Sequence, residues 1–100
     1  MSPQDYSITV GVCTLVLYLP GNGTLKGKRQ VLKSLKDRVQ NRFNVSIAEV
    51  GDLDLWQRSV LGIACVGNDR GYVNQVMDKV LDFVRSIPSI EILDYRLELI

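Results

Sequence analysis

The sequence predicts an α+β domain, and three observations predict it. Two segments repeat apolar residues at the helical period. Four others are rich in β-branched residues or alternate apolar and polar ones. The six run in the order β-α-β-β-α-β. With 100 residues, 46% of them hydrophobic, the chain is long enough to bury one core as a single domain, residues 1–100, without disulfides or metals. The composition excludes a disordered or collagen-like chain.

Ile8 to Leu19 carries Ile8, Thr9, Val10, Val12, Thr14 and Val16, and Pro20-Gly21-Asn22-Gly23 ends it. It is apolar on both faces, which predicts a central strand. Leu25 to Arg42 is a helix: Leu25, Leu32, Leu35, Val39 and Phe43 share one side, Thr24 is the natural N-cap, and the length is ~27 Å. Asn44 to Val50 reads as a second strand with Val45 and Ile47 on one face, broken by Gly51-Asp52-Leu53-Asp54. Ser59 to Val66 is the third strand, ended by Gly67-Asn68-Asp69.

The second helix, Asp69 to Ile87, has the cleanest pattern. Val73, Val76, Met77, Val80, Leu81 and Val84 form its apolar face, Asn68 or Asp69 caps it, and Pro88 follows it. Glu91 to Leu99 is a last strand in which Leu93, Tyr95, Leu97 and Leu99 face in and Asp94, Arg96 and Glu98 face out. Right-handed crossovers in both β-α-β pieces give a ferredoxin-like fold: a four-stranded antiparallel sheet with two helices on one face. Such a sheet normally has a polar open face, yet strands one and three are apolar on both sides. That predicts a cover, and self-association is the simplest one.

Charge narrows the function. The chain has 12 Lys and Arg, 11 Asp and Glu, and no histidine, for a net +1. Without histidine there is no Ser-His or Cys-His couple and none of the usual zinc sites. Residues 1–50 hold seven basic and three acidic side chains, and residues 51–100 hold five and eight. Lys26, Arg29, Lys33 and Lys36 fall within ~80° of helical arc, a basic stripe extended by Gln40 whose cations, over ~15 Å of helix, can follow a phosphate backbone. Lys28 falls on the apolar side, close to the preceding loop. A solvated helix face is the plain alternative for the whole stripe.

Other motifs carry less. Gly21 to Lys28 resembles a phosphate loop superficially, but Gly23 and Gly27 are four apart and Arg29 follows Lys28, so the Walker spacing fails. Asp52 and Asp54 are turn formers first and a Mg²⁺ site of a small enzyme only as a third class of reading. Trp56 is read first as a hairpin anchor on the core and otherwise as a partner contact. Arg58 pairs with Asp52 or Asp54, or points outward. Base stacking on the sheet, as in RNA-recognition motifs, lacks aromatics on the third strand. Acylphosphatase-like chemistry lacks an Arg between Pro20 and Thr24.

Cys13 and Cys65 lie in apolar runs and read first as buried thiols, with a disulfide between neighbouring strands and a reactive nucleophile as alternatives. The start, Met1-Ser2-Pro3-Gln4-Asp5, has no basic segment of a signal peptide, and no apolar run is long enough to span a membrane, so a cytoplasmic location is expected.

Val10-Gly11-Val12-Cys13 with Leu15 and Leu17, Leu19-Pro20-Gly21, Thr24 to Arg29, Arg42 to Val50 and Asp54-Leu55-Trp56-Gln57-Arg58 together resemble the YlxP-like family of small bacterial proteins of unknown function. Genes of that family often lie beside those for translation initiation and ribosome-binding factors. The resemblance implies a ferredoxin-like fold and suggests an RNA- or ribosome-associated role. Gly27 stands where the family tends to have an acidic residue, so a full capping box with Thr24 is lost.

The expectation is a non-enzymatic RNA- or ribosome-associated protein holding phosphates through Lys26, Lys28, Arg29, Lys33, Lys36 and Arg58. No catalytic residue, cofactor or metal is expected. The alternative is a homo-oligomeric interaction module, a homodimer through the open sheet face, with no nucleic-acid role.

Overall fold

A computed structural model describes Ser2 and residues 6–100. Met1, Pro3, Gln4 and Asp5, weighed above for a leader, lie outside the described residues. The elements are β1 (Thr9–Tyr18), α1 (Leu25–Arg42), β2 (Ser46–Gly51), β3 (Arg58–Gly67), α2 (Arg70–Arg85) and β4 (Glu91–Leu99). They form one four-stranded sheet in the order β2-β3-β1-β4, antiparallel throughout, which is the ferredoxin-like α+β arrangement.

β1 is central, as its two apolar faces predict. Cys13, Leu15 and Leu17 point to the helices and are buried, while Val10, Val12, Val16 and Tyr18 line the open face and are half-buried. β3 repeats this, with Leu61, Ile63 and Cys65 inward and Val60, Ala64 and Val66 outward. Gly11 is needed for close approach: a Cβ there would stand 2.6 Å from Val73 Cγ1 of α2.

α2 buries Val73, Met77, Val80, Leu81 and Val84, and its N-cap is Asp69, whose carboxylate accepts from Tyr72 N at 3.0 Å. α1 is capped by Thr24, whose Oγ1 accepts from Gly27 N at 2.9 Å, so the half of the capping box that needs no acidic partner is made. α1 buries Leu32, Leu35 and Val39, and also Lys28.

β4 departs from simple alternation. Its register with β1 shifts between Val16 and Leu17: Leu17 pairs with Ile92 and Val16 with Asp94, leaving Leu93 as an extra residue. Ile92 therefore joins the core with Leu97 and Leu99, and Leu93 does not; it is 48% exposed. The expectation that Leu93 faces in is thus corrected, because one inserted residue inverts the side-chain phase. Among the described residues no helix is long and apolar enough to cross a membrane.

Candidate nucleic-acid interface and hairpin groove

Lys26, Arg29 and Lys33 are exposed on α1, and Lys36 is half-buried beside them. On the opposite flank of the helix, Arg38 and Arg42 lie over the Phe83 ring of α2, at 5.1 and 4.5 Å from its centroid. The stripe therefore faces away from α2, along the β2 edge of the molecule. Lys33 forms an exposed i,i+4 pair with Asp37 at 3.0 Å, an interaction weak enough for phosphate to displace. Among the described residues, no ion pair holds Lys26, Arg29 or Lys36.

Lys28 does not belong to this ridge. It is 1% exposed, and its ammonium donates to the carbonyl oxygens of Asp52 (2.8 Å), Leu53 (3.2 Å) and Arg58 (3.2 Å). It also pairs with Glu49 Oε2 at 2.9 Å, and that oxygen accepts from Ser59 Oγ at 2.7 Å. The cation thus closes the β2–β3 connection onto the first turns of α1 and is inaccessible to phosphate. The signal was present in the sequence: a lysine in the apolar arc of a helix needs an inward carboxylate, and Glu49 is the only acidic residue in β2.

Arg58 is also separate from the ridge. It pairs with Tyr18 across the sheet, on the open face, and its Nε meets Asp52 Oδ2 at 3.2 Å. Asp52 has φ 56°, a left-handed conformation that aspartate tolerates, so its backbone serves Lys28 while its carboxylate serves Arg58. That is the turn-forming role.

Trp56 is held by its backbone. Asn22 Nδ2 donates to the Trp56 carbonyl at 2.6 Å and to the Thr24 carbonyl at 2.7 Å. Gln57 Nε2 donates to the carbonyls of Pro20 and Asn22 at 3.2 and 3.0 Å. The indole itself is 56% exposed, so it is a surface residue and not a core anchor. With Tyr18, Leu55 and Leu93 it lines a groove of about 680 Å³ at one end of the open face, edged by Asp54, Gln57 and Arg58.

Cys13 and Cys65 are unbridged and buried, and burial pushes both thiols above their ordinary value of 9.0. This environment suppresses thiolate and is opposite to that of a nucleophile.

The chain is 47% identical over 79 residues to "Uncharacterized protein YlxP" of Bacillus subtilis (strain 168), an alignment covering 79% of this chain and 84% of that protein. Its fold is shared with "De novo designed protein Foldit4" at a TM-score of 0.56 and 13% identity, over 90% of this chain and 96% of that one. A likeness at that identity concerns the fold alone. Residues 10–97 match the family described as "Protein of unknown function (DUF503)", and the chain belongs to that family.

Proposed function

We propose that this protein is a non-enzymatic, cytoplasmic RNA-binding protein, associated with the ribosome, that grips phosphates with the ridge Lys26–Arg29–Lys33–Lys36. One observation carries the reading: four cations lie along one flank of α1, with a single exposed pair to Asp37 among them. The partial positive charge of the helix N-terminus adds to the ridge at Lys26 and Arg29. Such a site reads backbone rather than base edges, so it favours structured RNA with little sequence preference. Lys28 and Arg58 drop out of the contact set, one buried and one on the other side of the sheet.

Fluorescence anisotropy with a labelled RNA hairpin tests this. If all four cations meet duplex phosphates, log K against log salt has a slope of about −3.6. The Lys33→Glu/Lys36→Glu variant loses binding and keeps its urea midpoint. Unchanged affinity in that variant rejects the reading.

A second reading rests on the open face, where Val10, Val12 and Val16 of β1 lie beside Val60, Ala64 and Val66 of β3. Pairing of two such faces would make a homodimer. Sedimentation across a range of concentrations decides it, and a monomer at the highest concentration removes it.

A further inference from the structure

We propose that the groove between Trp56, Tyr18, Leu55 and Leu93 docks a short basic protein segment that inserts one apolar side chain. The groove combines four large apolar side chains with an acidic surround. Asp54 lies on its edge, and Glu91 and Asp94 stand opposite Tyr18 and Val16 on the open face, where directly paired residues share a side. Arg58, the one cation of the lining, already holds Asp52 at 3.2 Å, and Arg96, further along β4, holds Glu98 at 2.7 Å. With Asp52 and Arg58 paired to each other and Arg96 paired to Glu98, Asp54 on the edge and Glu91 and Asp94 beside it on the same face are left without an ion pair among the described residues. A phosphate chain is repelled there, and a lysine- or arginine-bearing segment is attracted.

The groove is also firmly built. Its indole sits on a loop stitched to the β1–α1 turn by Asn22 and Gln57, and the same loop closes over the Lys28 ammonium. Leu93 reaches the groove only because the β4 bulge takes it out of the core. A preformed pocket with exposed aromatic walls is the usual form of an anchor site. Its charge is opposite to that of the α1 ridge, so the two surfaces select different partners and this inference stands independently of RNA binding.

Trp56 is the only tryptophan of the 100 residues, and its emission reports on the groove directly. Two capped peptides serve as probes, KKGLGKK and its acidic counterpart EEGLGEE. The basic peptide should give a blue shift that saturates by about 1 mM, and the acidic one none. Rising salt should weaken the response. An Asp54→Asn/Asp94→Asn variant should bind the basic peptide roughly three- to tenfold more weakly. Asparagine at 94 keeps the oxygen that accepts from Tyr95 N, and urea unfolding verifies the fold. Equal shifts with both peptides, no saturable shift with the basic one, or full affinity in the double variant overturns the proposal. So does a larger response to an oligouridylate, which marks a base-stacking site. Emission that changes with protein concentration alone marks a second copy as the occupant and equally overturns it.

Discussion

A buried ammonium is tolerated only where oxygen atoms replace its water, and Lys28 finds them in three carbonyls and Glu49. Lys28→Met fills the space with apolar atoms but leaves Glu49, itself only 17% exposed, facing orphaned carbonyls. The expected loss is about 3 kcal/mol, read as a lower urea midpoint. The two thiols give a second test. Their folded-state pKa values lie above the unfolded value, so the unfolded chain releases these protons first as pH rises. The thiol contribution to stability is therefore complete below pH 9.0 and declines above it, toward the folded-state values. Native protein should react slowly with a disulfide reagent at neutral pH and release two thiols at once when unfolded in urea. Rapid native reaction would contradict the burial described here.

At the scale of elements, the strongest periodicities carried over directly. α2 buries five of the six apolar positions its spacing singles out, and α1 keeps its sequence boundaries from Leu25 to Arg42. β4 did not, because alternation presumes one residue per rung and the bulge at Leu93 breaks that assumption. Alanine substitution separates the two phases: Ile92→Ala should cost about 2 kcal/mol, and Leu93→Ala less than about 0.5 kcal/mol. Thermal unfolding of both variants checks the order. Gly27 offers a similar contrast. Alanine normally favours a helix by about 1 kcal/mol over glycine, but a Cβ at this position meets the Asn22 side chain, which anchors the Trp56 carbonyl. Gly27→Ala should therefore leave the melting temperature unchanged or lower it, and should perturb Trp56 fluorescence.

For the whole molecule, the charge asymmetry along the chain becomes an asymmetry in space. The basic ridge follows one flank of α1, and Asp52, Asp54, Glu91 and Asp94 lie toward the hairpin end of the open face. The ridge was legible in sequence because one helix contains all of it. The groove was not, because it is assembled from β1, the β2–β3 connection and a bulged residue of β4, and no single periodicity links them. Of the alternatives the sequence left for Arg58, the structure makes the pair with Asp52, and the strand register that sets it on the open face apart from the ridge has no counterpart in helical spacing. Salt separates the two proposed contacts: in 0.5 M salt, with ~4 Å of Debye length left, phosphate binding by the ridge should be lost. An apolar dimer through the valine face would persist.

The order β2-β3-β1-β4 has a consequence for synthesis. The first strand of this sheet to be made is an interior one, and its outer neighbour is the last of the four. A chain lacking the nine-residue β4 exposes one whole rim of β1, rich in valine and leucine, with nothing to pair it. Premature stops within residues 91–99 should thus yield aggregates rather than a slightly weakened protein.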